Sequence, residues 1–222
     1  MILGVEHVAL SCADIERGAI DLAGYGFATA FIERDLPNAP EKTPLLRTYA
    51  PRHDIASCRA RTGIAIELTA HGGIPAPAVS GYDVRFAGDG SGVVSLRVHS
   101  ARVEDSKAFW CDAMRFRVFR GALAGSGDAA LAIASPVGAW ALELHVEAGP
   151  KRPRTMLDDA GFPCLALITN RLEEDLRAAC EHGAHETVGP FDAAVHGRAL
   201  RIALLRGPGD ELIELIEFLR DR

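Results

Sequence analysis

One pattern occurs three times along this 222-residue chain, and it limits the possible folds more than any other feature. An apolar, strand-like segment opens each copy: GVEHVALSC from Gly4, GVVSLRVHS from Gly92 and GFPCLALIT from Gly161. A helix-like stretch follows each (DIERGAIDLAG, VEDSKAFWCDAM and LEEDLRAACEHG). In these, Ile15/Ala19/Leu22, Phe109/Ala113 and Leu172/Leu176/Ala179 fall at helical spacing. Each copy closes on a strand with a glutamate between apolar neighbours: AIEL at Ala65, ALEL at Ala141 and LIEL at Leu212. Counted from the fourth residue of each opening strand (His7, Ser95 and Cys164), the closing Glu67, Glu143 and Glu214 lie 60, 48 and 50 positions on. GSGD and GPGD tracts in the intervening stretches read as hairpin turns. A repeat of this period is one supersecondary unit used several times, and each unit reads β-α-β-β-β.

Two Gly- and Pro-rich stretches, His71 to Gly92 and Glu147 to Gly161, read as linkers. The second carries Lys151, Arg152 and Arg154, a basic cluster expected to be a solvated loop. The boundaries that follow are 1–72 for the first module, 73–91 for a linker, and 92–222 for a paired second (92–147) and third (161–219) module.

Composition removes several function classes. With 48% hydrophobic and 24% charged residues the chain is an ordinary globular one, able to bury a core. A net charge of −6 leaves no basic footprint for nucleic acid, and 6% aromatic residues make a base-stacking platform unexpected. No segment reaches the roughly 18 apolar residues that span a membrane. The start, MILGVEHVALSC, lacks the basic region of a secretory signal, so a cytoplasmic location without membrane partners is expected. Five scattered cysteines (Cys12, Cys58, Cys111, Cys164, Cys180) with no C-x-x-C pair fit free thiols in a reducing compartment. Neither a G-x-S-x-G elbow nor a phosphate-binding Walker loop is present.

Strand alternation sends alternate residues to one face. The opening strands bury Val8/Leu10, Leu96/Val98 and Leu165/Leu167 on one side. The opposite side is expected to carry Val5, His7, Ala9 and Ser11, then Val93, Ser95, Arg97 and His99, then Phe162, Cys164, Ala166 and Ile168. The closing strands likewise set Glu67, Glu143 and Glu214 against their apolar neighbours. A half-exposed antiparallel strand with its polar face in water explains such a pattern. So does a concave sheet whose inner face gathers carboxylates and imidazole around a divalent ion.

The repeated unit resembles the vicinal oxygen chelate superfamily, the group of glyoxalases, bleomycin resistance proteins and extradiol dioxygenases. The resemblance rests on HVAL with the following ADIERGAIDLAGYGF, on VEDSKAFWCDAMRFR, and on the terminal GPGDELIELIE. It covers most of the chain outside the two linkers. It implies an α+β fold of three β-α-β-β-β modules in cupped mixed sheets, with helices on the convex side. Two modules of that family pair into one cup, and metal ligands come from the opening and closing strands of each. Carried over, it implies His7, Glu67, Glu143 and Glu214 as metal ligands, with serine and cysteine at Ser95 and Cys164 where histidines are expected.

The implied cofactor is a divalent metal (Mn, Ni, Zn, Mg or Fe), and the implied partner is a small oxygenated substrate. The implied chemistry is of isomerase, epimerase or lyase type through an enolate-like charge, with Glu67, Glu214 or His99 moving the proton. Arg97 and His145 are candidates to bind the substrate; solvent-exposed strand ends are the plainer account of His99 and His145. An extradiol-type dioxygenase and a metal-free small-molecule-binding protein are the alternatives. Cys164 reads as a small buried residue before a ligand. Three units are an odd number for a fold built on pairs. Units two and three are expected to pair, leaving unit one to meet its copy in a homodimer. Alternatively, unit one joins unit two or three and adds Glu143 or Glu214 to His7 and Glu67.

Overall fold

The computed structural model describes residues 1–61, 63–71, 81–87, 92–118, 129–134, 141–150 and 153–219. Unit one comprises β1 (Ile2–Ser11), α1 (Ile15–Ala23), β2 (Ala28–Pro37), β3 (Arg52–Arg59) and β4 (Ala65–Ala70). A 3-10 helix, Pro40–Leu45, lies between β2 and β3. After β5 (Asp83–Phe86), unit two comprises β6 (Val93–Ser100), α2 (Val103–Ala108), β7 (Arg117–Val118), β8 (Ala129–Ala134) and β9 (Ala141–Ala148). A π-turn at Phe109–Ala113 extends α2. Unit three comprises β10 (Gly161–Thr169), α3 (Leu172–Glu181), β11 (His185–Val195), β12 (Arg198–Arg206) and β13 (Leu212–Phe218). The three β-α-β-β-β units are those the sequence repeat predicts, and the fold is α+β. Among the described residues no helix is long and apolar enough to cross a membrane.

Local chemistry sets the strand-to-helix corners. The Asp14 carboxylate accepts from the Arg17 backbone N–H at 3.0 Å and caps α1, whose Ile15 and Leu22 are buried against the sheet. In units two and three, a hydroxyl at the end of the opening strand plays a matching part. Ser100 Oγ accepts from Arg102 N–H and bonds Ser106, while Thr169 Oγ1 accepts from Arg171 N–H and bonds Asp175.

The strands form two sheets. One has eight strands in the order β11-β12-β13-β10-β1-β4-β3-β2, and the other five in the order β5-β6-β9-β8-β7. Units one and three therefore share the large sheet, joined by antiparallel pairing of β1 with β10. The expected pairing of units two and three is overturned: unit two forms a sheet of its own. The reason lies in β5, which falls within the stretch read as a linker. It pairs antiparallel with β6 only six residues later, and closing so short a loop costs little chain entropy. It occupies the flank through which unit two would meet another unit.

One apolar cluster runs through all three units, from Val8 and Leu68 through Leu165 and Leu215 to Leu96, Trp110 and Leu144. The large sheet curls until its two ends meet. Phe31 on β2 stacks on His196, just past β11, with ring centroids 4.4 Å apart and planes 6° from parallel. The His196 backbone N–H donates to Glu33 at 2.6 Å.

Candidate functional site

The floor of this curled sheet is built on β1, which departs from simple alternation. Against β10, Val5 pairs with Leu167 and His7 with Ala166, so Glu6 is an extra residue in a β-bulge. The bulge turns Val5 into the helix-side core and leaves both Glu6 and His7 on the concave face. Glu67 on β4 and Glu214 on β13 reach the same cavity by ordinary alternation, with Ile66/Leu68 and Ile213/Leu215 buried behind them.

The cavity measures about 690 Å³. His7 is 4% exposed, and its Nδ1 lies 2.5 Å from Glu6 Oε2. Its Nε2 stands 3.6 Å from Glu67 Oε1 and 3.6 Å from Glu214 Oε2, and it has no hydrogen-bond partner. Burial works to lower the His7 pKa, but Glu67, Glu6 and Glu214 outweigh it and raise the value to about 10. Burial pushes the Glu67 carboxyl up, with only partial relief from His7. For Glu6, burial is opposed by the hydrogen bond to His7 and by the charges of His7, Arg59 and Arg198, which together hold its carboxyl below the ordinary value. The floor thus concentrates three carboxylates around one imidazole, an arrangement suited to a cation.

Register relates the two halves of the cup. Ala9 pairs with Glu67 and Ala166 with Glu214, so Cys164 stands in unit three where His7 stands in unit one. The Cys164 thiol is buried, with burial and the nearby Glu214 raising its pKa well above the usual thiol value. In unit two Ser95 pairs with Glu143. Ser95 therefore matches Ala9, and the position equivalent to His7 is the buried Val93. This corrects the alignment read from the sequence by two residues. The equal offsets of 50 from Val93 to Glu143 and from Cys164 to Glu214 were the available signal.

The structure brings His7, Glu67 and Glu214 together, and it places the unit-two candidates elsewhere. Glu143, with a 42% exposed side chain, lies 3.4 Å from His145. Arg97 lies 2.7 Å from Glu147, and His99 is 3.7 Å from Asp83 and 4.0 Å from Glu147. None of the four candidates, Glu143, Arg97, His99 and His145, lines the cavity. They form a partly solvated polar face; among the described residues unit two shares its sheet only with β5 and pairs with no second unit. Sequence reasoning also passed over cavity residues on the irregular hairpins: Lys42, His53, Arg59, Phe191 and Arg198. The GSGD turn and the Lys151 and Arg152 pair lie outside the described residues, and Arg154 pairs with Glu186.

No family model matches this sequence, and no curated protein matches it. Solved structures do. Glyoxalase I from Zea mays aligns over 96% of this chain and 92% of its own, with a TM-score of 0.62 at 14% identity. A substituted form of that enzyme gives 0.61 at 15%, with the same coverage. The chain has the vicinal oxygen chelate fold. A glyoxalase/bleomycin resistance protein/dioxygenase family enzyme from Burkholderia phytofirmans PsJN aligns with 56% of this chain and 97% of its own, with a TM-score of 0.44 at 11% identity. In this chain His7, Glu67 and Glu214 converge on the floor between the paired units one and three.

The donor types, one imidazole and two carboxylates, suit a divalent ion. Donors about 2.1 Å from one ion stand roughly 3.0–3.5 Å from each other, and the two separations from His7 Nε2 are both 3.6 Å. Among the described residues no group of three His, Cys, Asp or Glu side chains is spaced to hold a metal ion as it stands. The carboxylate of Glu6 on the far nitrogen of His7 is the companion that ligating histidines usually have.

Proposed function

We propose that this chain is a divalent-metal-dependent enzyme acting on a small substrate with two adjacent oxygens. The observation that supports the reading best is the buried His7 Nε2, without a hydrogen-bond partner and 3.6 Å from both Glu67 and Glu214. These three side chains would hold the ion, and Glu6 would fix the tautomer of the imidazole so that Nδ1 carries the proton and Nε2 faces the cavity. Bound there, a divalent ion acts as a Lewis acid, stabilising negative charge that develops on a substrate oxygen.

The chain's own residues supply the remainder. Glu67 or Glu214 takes a proton from the substrate carbon on a carboxylate oxygen and returns it to a neighbouring atom, which is isomerase, epimerase or lyase chemistry. His99 is outside the cavity and plays no part in that transfer. One imidazole with two carboxylates suits Mn, Ni, Zn, Mg or Fe, and differs from the two-histidine, one-carboxylate set of extradiol-type oxygenation. The reading also has the protein working as a cytoplasmic homodimer on a small molecule, without nucleic acid or membrane partners.

Elemental analysis tests the reading. After chelator dialysis and repletion, the tag-free protein should carry about one equivalent of metal. His7→Ala/Glu67→Ala should lose it and Glu143→Ala should keep it. Metal absent from all three would sink the enzyme reading. It would leave the second one, a metal-free small-molecule-binding protein, which the buried thiol of Cys164 in the place of a fourth donor favours.

A further inference from the structure

The cavity has two chemically different ends. On β3 and β4, Ser57 pairs with Glu67 and Ile55 with Thr69, so the next inward pair is His53 with His71. Their rings lie 5.6 Å apart. His71 is four residues past Glu67 on the same face, ~13 Å along the strand. The equivalent inward pair of unit three is Leu200 with Phe218, four residues past Leu204 and Glu214. Because β1 and β10 run antiparallel, and β4 and β13 run parallel to them, these two pairs occupy opposite ends of the trough.

The His53 end holds more unmet polarity than a core tolerates. His53 is 7% exposed and lines the cavity, yet its Nδ1 has no hydrogen-bond partner, and neither does Nδ1 of His71. Burial and the Lys42 charge keep both rings neutral, with pKa values lowered to about 3 for His53 and about 4 for His71. Lys42 extends from the 3-10 helix into the cavity, its ammonium 5.8 Å from the centre of the Phe191 ring. Among the described residues no carboxylate lies within ion-pair distance of it. The 3-10 helix that carries this group is tied down where Leu157 N–H donates to Leu45 O at 2.8 Å and, just beyond it, Arg47 pairs with the buried Asp159. Ile55 lines the cavity between this end and the glutamates, while Phe191 and Ile202 line it toward the other end.

We propose that this end receives the anionic end of the substrate, a carboxylate or phosphate on an apolar body, with Lys42 as its counter-ion and the imidazole of His53, backed by that of His71, as hydrogen-bonding partner. The unpartnered ring nitrogens and the unpaired cation then acquire their complement together. The inference extends the enzyme reading by naming the class of substrate: an anionic amphiphile spanning roughly 10–13 Å between its adjacent oxygens and its charged end.

Anion binding at this end needs no metal, so it can be tested separately. Octanoate, octyl phosphate and octanol are titrated calorimetrically into chelator-treated protein, while the ring signals of labelled His53 and His71 are followed by NMR. The tighter of the two anions should bind about tenfold or more better than octanol, and Lys42→Gln should remove that advantage while Lys42→Arg keeps it. His7→Ala/Glu67→Ala should keep the anion's advantage over octanol. The ring signals of His53 and His71 should move on binding. Equal binding of octanol, no binding of either anion, or an undiminished Kd in a folded Lys42→Gln variant would overturn the proposal. Which anion binds tighter identifies the group this end accepts. Anion binding in a protein that holds no metal would retain this end and remove only the metal reading.

Discussion

Glu6 and His7 are neighbours in sequence, and in a regular strand they would face opposite ways. They share the cavity because β1 bulges between Val5 and His7. That single irregularity gives the imidazole its carboxylate partner at 2.5 Å and leaves Nε2 free for a cation. Removing the Glu6 charge while keeping its shape should therefore weaken metal binding without unfolding the protein. Glu6→Gln is expected to lower metal affinity about 10–100-fold, as loss of such a partner typically does, measured by competition with a chromophoric chelator. An unchanged affinity would show that Glu6 does not orient His7. At this scale, strand alternation put His7, Glu67 and Glu214 on polar faces, and the family resemblance singled them out. Glu6 was not legible, because a bulge breaks the period-two rule and leaves no composition signal. The slip from Val93 to Ser95 has a related origin. Both lie on one face of the opening strand, and only pairing with Glu143 distinguishes them.

The βαβββ units and the GPGD turn were legible from apolar spacing and turn residues, whereas β5 was hidden by the glycines around its four residues. The GPGD turn between β12 and β13 has a further role that its sequence does not announce. The Glu211 carboxylate folds back over it, so that a Cβ at Gly207 would fall 2.4 Å from Glu211 Oε1 and one at Gly209 would fall 2.7 Å from Oε2. Oε1 accepts from the indole N–H of Trp110 at 3.0 Å, tying unit three to the π-turn of unit two. Burial of this carboxyl raises its pKa to about 7 from 4.5. A carboxyl raised on folding binds its proton more tightly in the native state. Its contribution is full below pH 4.5 and is lost as pH rises through about 7. Glu211→Gln does not titrate. Its stability relative to the native protein should therefore improve between pH 5 and pH 8, by on the order of 2–3 kcal/mol. Urea unfolding at the two pH values measures this, and a gap that does not change with pH would refute the assignment. Gly207→Ala should destabilise by about 1–3 kcal/mol at either pH, since the added methyl displaces a buried carboxylate.

Across the whole molecule, the site is assembled from the two ends of the chain. His7 and Glu67 belong to unit one and Glu214 to unit three, with unit two lying between them in sequence. That pairing was not legible, because the opening strands of units two and three offer similar apolar faces and only the long-range pairing of β1 with β10 separates them. Unit two is nonetheless not a passenger, since its Leu96, Trp110 and Leu144 belong to the same apolar cluster as Val8, Leu165 and Leu215. A shared core makes the three units melt together. Metal binding gives a way to see this, because an ion held by units one and three stabilises only what is coupled to them. At a free metal concentration about 100 times Kd, the gain is about 2.7 kcal/mol. Both tryptophans, Trp110 and Trp140, lie in unit two, so tryptophan fluorescence follows unit two while far-UV circular dichroism follows all three. In a cooperative molecule, both signals rise to the same higher melting temperature on adding metal, and neither shifts in His7→Ala/Glu67→Ala. A fluorescence transition that stays fixed while the dichroism transition moves would mean that unit two unfolds on its own, and that the cup of units one and three stands without it.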